Sequence, residues 1–258
     1  METVAEIEAY AWPDPLAGLD LDAIEEACHQ IRASGDYPII VGGFGSGTLE
    51  LVLWLQGYDQ GLMNLLVNRP VTEAILDRVV ELKITYAEAV LERVGAWVDV
   101  FYNGDDLGLQ DGPMIRPEWF RELLAPRYVA YHEAVKRAAP QVKMFFHTCG
   151  AVVDLLPDLI ETGIDILNPV QVSAAGMGDT AALKAQFGAD VTFWGGIDTQ
   201  HAMPHGTPQD VKDEVRRRMD DLAPGGGYVL NTSHNIQADV PAANILALVE
   251  ALDEFGWY

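Results

Sequence analysis

Short apolar runs alternate along this chain with longer stretches of helical periodicity. The runs are Tyr37–Val41, Trp97–Tyr102, Val142–Phe146, Ile164–Leu167, Val191–Trp194 and Tyr228–Leu230. Each is too short for a helix and is flanked by polar or glycine-rich residues. That pattern predicts strands buried on both faces, as in a parallel sheet. Between them, helical spacing predicts helices from about Val71 to Gly95, Pro117 to Ala138, Val152 to Glu161, Thr180 to Phe187, Pro208 to Leu222 and Pro241 to Phe255. Pro117 suits a first helical turn, where its missing N–H costs nothing. Gly163 follows its helix in the manner of a C-cap.

Strands alternating with helices fit either a doubly wound open sheet or a barrel. The polar residues choose. Asn103, Asp105 and Asp106, then His147 and Cys149, Asn168 and Gln171, Asp198 and Gln200, Asn231 and His234 all fall at C-terminal ends of predicted strands. Groups from many strand ends meet at one mouth when the sheet closes, and that face carries the active site of (β/α)₈ barrels. The expectation is therefore a single α/β domain over residues 1–258, a TIM-type (β/α)₈ barrel with an irregular or helical segment at 1–36. Only six strands are visible, so the barrel is expected to be distorted or incomplete at its N-terminal side. Exposed sheet edges need covering, which points to a homodimer or a partner chain.

Three of those strand-end residues can ligate a metal. Side chains two apart on a strand face the same way, so His147 and Cys149 are expected on one side and Thr148 on the other. With His234 they make two imidazoles and a thiolate. Three protein ligands leave a fourth tetrahedral position open, which distinguishes catalytic from structural zinc. The competing reading is that each is a packing residue.

Asp105 and Asp106 are adjacent and so point apart on extended chain. One is expected to face the pocket as proton acceptor or substrate anchor, with Asp106 preferred, and the other to cap a turn. Asn168, Gln171, Asp198 and Gln200 could bind substrate or cofactor, orient the metal ligands, or simply hold loops. His201 and His205, in a Pro/Gly-rich loop, read as surface residues. Gly42-Gly43-Phe44-Gly45-Ser46-Gly47 follows a strand and precedes a helix, where it could cradle an anion. It lacks the P-loop Gly-Lys-Ser/Thr and the dinucleotide spacing, so close backbone lining of the mouth is the simpler reading.

Charge narrows the partners. Sixteen Lys and Arg against 39 Asp and Glu give a formal charge of −23. Such a surface repels nucleic acid and anionic lipid. No run approaches the roughly 18 apolar residues of a membrane span, and the acidic start, Met-Glu-Thr-Val-Ala-Glu-Ile-Glu, has no signal-peptide pattern. A cytoplasmic enzyme without membrane or nucleic-acid partners is expected. Two cysteines are too few for a disulfide framework, and Cys28, on an amphipathic pattern, reads as a small buried residue.

The segments Gly-Asp-Asp-Leu-Gly-Leu-Gln-Asp-Gly-Pro (104–113), Phe-Phe-His-Thr-Cys-Gly (145–150), Asp-Ile-Leu-Asn-Pro-Val-Gln (165–171), Phe-Trp-Gly-Gly-Ile-Asp-Thr-Gln (193–200) and Ser-His-Asn-Ile-Gln (233–237) resemble the uroporphyrinogen decarboxylase superfamily. The resemblance covers roughly residues 37 to 255. It implies a TIM barrel that is either a cofactor-free tetrapyrrole decarboxylase or a zinc- and corrinoid-dependent methyltransferase. Methyltransferases of this kind bind zinc through His-x-Cys and a later Cys. Here His147 and Cys149 match the pair, and the later position looks like His234; the decarboxylases carry a His in a Gly-His-Gly-like segment there, so His234 alone fits either branch. The decarboxylases' N-terminal Arg-Gln-Ala-Gly-Arg-like segment, which holds substrate carboxylates, is missing, and the N-terminal part is short relative to the superfamily.

The resemblance thus implies methyl transfer between a corrinoid (methylcobalamin) on a separate carrier protein and a small thiol or methoxylated substrate, with Zn²⁺ at His147, Cys149 and His234. Decarboxylation of a tetrapyrrole and a non-catalytic scaffold barrel are the alternatives.

Overall fold

The structure is a computed structural model that describes residues 1–257. The protein is an α/β fold whose six strands form one sheet in strict chain order, β1 to β6. The strands are β1 (Ile40–Gly42), β2 (Val100–Gly104), β3 (Lys143–His147), β4 (Ile166–Asn168), β5 (Thr192–Ile197) and β6 (Tyr228–Thr232). The pairs β1 with β2, β4 with β5, and β5 with β6 are parallel. Parallel neighbours in chain order, each joined through helix, are the singly wound arrangement of TIM-type folds. Six strands are present among the described residues, as the apolar runs predict.

The helices are α1 (Val4–Ala9), α2 (Leu21–Ser34), α3 (Thr48–Gln56), α4 (Tyr58–Val67), α5 (Arg69–Val94), α6 (Pro117–Trp119), α7 (Ala125–Ala138), α8 (Leu156–Glu161), α9 (Thr180–Phe187), α10 (Ala202–His205), α11 (Pro208–Leu222) and α12 (Ala242–Phe255). A π turn at Phe120–Leu124 joins α6 to α7. Residues 1–36, expected to be irregular or helical, hold α1 and α2. No helix among the described residues is long and apolar enough to cross a membrane.

The chain forms two compact units. The first comprises Met1–Asp106, Glu118–Phe145 and Glu161–Ile164. Its core gathers Cys28 of α2, Ile39, Val90 and Val94 of α5, Phe101 of β2, Tyr131 and Val135 of α7, and Val142. Cys28 is 3% exposed, the small buried residue its helical spacing predicts. Asp20 caps α2 by accepting from the Ala23 N–H at 3.0 Å, which satisfies one donor of the first turn.

The second unit comprises Leu107–Pro117, Phe146–Ile160 and Asp165 onward. On α11, Val211, Val215, Met219 and Leu222 are buried at helical spacing, and this helix packs on α12. Thr207 and Asp210 close a capping box at its start.

The strands end later than the hydrophobic runs suggest. Hydrophobicity stops at Trp194, yet β5 continues through Gly195 and Gly196, where the Gly196 N–H donates to the Pro169 carbonyl at 3.0 Å. At the other end Gly95–Trp97 winds into a 3-10 turn, so β2 begins at Val100. Polar tails extend the strands because ladder bonds do not depend on apolar side chains. The extension makes His147 the last residue of β3 and Asn168 the last of β4.

Candidate metal centre

The first unit accounts for the glycine-rich segment. Gly47 stands at the N-cap of α3 and has no side chain to satisfy the helix's first N–H groups. Asp105, just past β2, does so from a distance in sequence. Its carboxylate accepts from the Leu49 N–H at 2.5 Å, the Glu50 N–H at 3.0 Å and the Tyr128 hydroxyl at 2.6 Å. A Cβ on residue 47 would lie 2.0 Å from Asp105 Oδ1, so only glycine fits. The positive end of α3 is therefore already occupied by the chain's own carboxylate, which argues against an exogenous anion there.

Burial pushes the Asp105 carboxyl up to about 6 despite these donors, and Glu50 adds a smaller push in the same direction. Lys83 of α5, 1% exposed, donates to the Phe44 carbonyl at 3.0 Å and to the Ser46 carbonyl. Burial lowers its ammonium to about 8, against the opposing pull of Asp105 and Glu50. Lys83 and Asp105 hold the loop from two sides.

The second unit holds His147, Cys149 and His234. His147 ends β3, half-buried. Its Nδ1–H donates to Asn168 Oδ1 at 2.6 Å, and the Asn168 amide donates to the Trp194 carbonyl at 3.0 Å. The second bond decides which end of the amide faces the ring. The Nδ1 of His147 is thus the donor in that bond, which leaves Nε2 as the ring nitrogen turned toward Cys149. Cys149 Sγ lies 3.5 Å from that Nε2. Nitrogen and sulfur donors on one tetrahedral zinc, at about 2.0 and 2.3 Å from the metal, are about 3.6 Å apart. The pair has the separation one zinc requires.

Thr148 faces away, as strand alternation predicts. It is buried and its hydroxyl accepts from the Leu107 N–H at 3.1 Å. That bond fixes the chain on which Asp106 immediately precedes Leu107. Ligand atoms of Asp106, His147 and Cys149 all lie within 4.8 Å of one another. His234 is exposed, its ring centre 6.4 Å from that of His147 and inclined at 63°. Two imidazoles on one tetrahedral zinc have ring centres about 5 Å apart, so His234 would have to turn inward by about an ångström to join. The donors already together are two of the three expected and a carboxylate. An imidazole, a thiolate and a carboxylate suit zinc.

The remaining strand-end residues divide. Gln171 accepts from the Gly150 N–H at 2.9 Å, one residue past Cys149. Gly150 has φ +88°, and a Cβ there would meet the backbone of Gly108 at 2.4 Å. Asp198 accepts from the N–H groups of Gln200 and His201 at 2.7 and 3.1 Å and from His201 Nδ1 at 3.0 Å, bracing the turn before α10. Gln200 is exposed, and so are His201 and His205. Asn103 is buried beside His132, its amide 3.4 Å from Nε2.

Two residues carry roles that the sequence reading did not assign. Gln110, within the 104–113 segment, lies against Gln171 and Gln200, with its Oε1 3.5 and 3.4 Å from their amide nitrogens. Lys83 sits four residues after Val79 and four before Ala87 on the apolar stripe of α5. A lone lysine on such a stripe signals a buried cation with a partner.

The family model described as uroporphyrinogen decarboxylase (URO-D) matches residues 1–255. A uroporphyrinogen decarboxylase from Actinobacillus succinogenes is 24% identical over 264 residues, covering 99% of this chain and 70% of that protein. A methylated-thiol–coenzyme M methyltransferase from Methanosarcina mazei is 23% identical over 267 residues, covering 96% of this chain and 62% of that protein. A solved methyltransferase structure from Methanosarcina mazei superimposes with a TM-score of 0.71 at 23% identity, over 96% of this chain and 71% of that one. This chain thus spans between 62% and 71% of these relatives' lengths.

Proposed function

The chain belongs to the uroporphyrinogen decarboxylase family, and from that premise we propose that it is a zinc-dependent methyltransferase. It moves a methyl group between a corrinoid, held on a separate carrier protein, and a small thiol or methoxylated substrate. The observation that carries the reading is the His147 Nε2 to Cys149 Sγ separation of 3.5 Å, with the imidazole tautomer set by Asn168. The methylated-thiol relative supports the reaction class.

His147 and Cys149 would hold the metal, with Asp106 or His234 as the third protein ligand. When bound, the metal supplies Lewis acidity that makes a thiol acidic near neutral pH or polarises an ether oxygen. Asn168 would hold the imidazole by its Nδ1 and leave Nε2 for the metal. Gln171 fixes the backbone after Cys149 and so limits where the sulfur can go. In the transfer, the substrate thiol gives its proton to solvent. The corrinoid, when bound on its carrier, would supply the methyl group that this sulfur takes up and would keep the electron pair of the bond it gives up.

Metal content of protein purified without added zinc, with methyl transfer from free methylcobalamin to 2-mercaptoethanol, tests the proposal. One zinc per chain and S-methylation are expected, both lost in His147→Ala. A metal-free, fully folded wild-type protein would sink it. The second reading is decarboxylation of a tetrapyrrole, favoured by the decarboxylase relative over 99% of the chain. Incubation with uroporphyrinogen and measurement of released CO₂ separates the two.

A further inference from the structure

Three glutamines meet in the second unit beside the candidate metal pair. Gln110 Oε1 lies 3.5 Å from Gln171 Nε2 and 3.4 Å from Gln200 Nε2. The amide of Gln110 donates to the Ser173 carbonyl at 2.5 Å, and Gln171 Oε1 accepts from the Gly150 N–H at 2.9 Å. These bonds pin Gln110 and Gln171 from behind. The bonds among the three amides are long, at the limit for N–H···O contacts. Gln110 and Gln200 are exposed and Gln171 is half-buried. Each terminal NH₂ on Gln171 and Gln200 has a second hydrogen, and Gln200 Oε1 accepts nothing among the described residues. The cluster is anchored yet under-bonded on its open side.

Its electrostatic setting is equally specific. The segments that follow β3 to β6 at this end, residues 148–151, 169–179, 198–207 and 233–241, contain no Lys or Arg, and the segment after β2 that carries Gln110 holds Asp111 and a single cation, Arg116, which is already engaged. Asp198, in the same turn as Gln200, receives the Gln200 N–H at 2.7 Å. A carboxylate or sulfonate placed here would lose hydration with no unengaged cation in these segments to meet it, which is costly. An ammonium gains little either, because Asp198 is already turned toward two backbone N–H groups and His201. Amides pair best with groups that both give and accept a hydrogen bond without charge.

We propose that Gln110, Gln171 and Gln200 form the specificity seat for an uncharged hydroxyl, ether or carbonyl group on the substrate. The chain would thereby act on neutral small molecules rather than on polycarboxylates or sulfonated thiols. The inference deepens the methyltransferase reading, since Gln171 meets the metal pair through Gly150 and Cys149, but its test does not depend on the metal.

The test uses three thioethers that differ only in their tail: 2-(methylthio)ethanol, 2-(methylthio)ethanesulfonate and 2-(methylthio)ethylamine. Their dissociation constants are measured by calorimetry on the intact protein as purified, with metal content assayed separately. The alcohol is expected to bind at least about tenfold more tightly than either charged analogue. Gln200→Leu and Gln171→Leu should each weaken the alcohol about tenfold and leave the charged analogues unchanged. Gln200→Glu should weaken the alcohol and favour the amine, a reversal that a merely structural glutamine would not give. Equal affinity for all three, preference for the sulfonate, or no binding of any overturns the seat. A neutral preference in a protein found to lack metal would instead leave the seat standing and remove the zinc reading.

Discussion

Asp105 and Asp106 are neighbours in sequence and opposites in circumstance. Asp105 is 1% exposed and receives three donors, two of them N–H groups of α3. Asp106 is half-buried and contributes a ligand atom to a group with His147 and Cys149. The same contrast separates the loop cluster around Lys83 from the glutamines around Gln110. Polar groups whose valences are saturated by their own chain hold backbone in place. Those gathered with other possible ligands at a strand end are the candidates for chemistry. The adjacent aspartates differ in burial and in neighbours although one residue separates them.

The sharpest way to break the contrast is to remove each side and compare. His147→Ala should abolish metal binding and reduce methyl transfer by at least about 10³, near 4 kcal/mol of barrier, while the unfolding midpoint in urea moves little. Asp105→Ala should do the reverse. Three buried donors lose their acceptor, so a loss of about 3 kcal/mol of folding stability is expected, read from the same urea curves, with metal content per folded molecule retained. If Asp105→Ala strips the metal and leaves stability alone, the division of roles is wrong.

Smaller changes refine the picture. Asn168→Ala frees the imidazole to choose its tautomer and should cost 10- to 100-fold in metal affinity, measured by competition with a chelator. Lys83→Met removes a buried charge but leaves the Phe44 and Ser46 carbonyls unmet. The two effects oppose, and a net change near 1 kcal/mol is expected.

The pH dependence of stability tests the Asp105 side alone. The folded Asp105 carboxyl, at about 6, binds its proton more tightly than an unfolded one near 3.8. Its contribution is complete below pH 3.8 and is lost as pH rises through 6. The difference in unfolding free energy between wild type and Asp105→Asn should therefore shift against the wild type across that window. A flat difference between pH 4 and 6 would show that Asp105 titrates normally.

The strands were legible because short apolar runs separated by helical spacing admit few other readings. Their ends were not, since the last three residues of β5 and the last two of β6 lie beyond the apolar runs and are placed by ladder bonds. His147 and Cys149 could be paired from spacing alone, although Cys149 lies past the end of β3. The carboxylate of Asp106 could not be placed with them, because its position rests on the Leu107 to Thr148 bond, a contact across 41 residues. Gln110 was hidden for the same reason. Its role exists only through partners 61 and 90 residues away.

Residues 107–114 fold into a small hairpin. Gly108 bridges Pro113 antiparallel, the Leu109 N–H donates to the Gly112 carbonyl at 2.7 Å, and the Met114 N–H donates to the Leu107 carbonyl at 2.7 Å. Asp106 stands at its root and Gln110 near its tip. The bonds that close this hairpin therefore hold the Gln110 amide on a short, braced piece of backbone, and a substitution that opens the hairpin is expected to displace that amide.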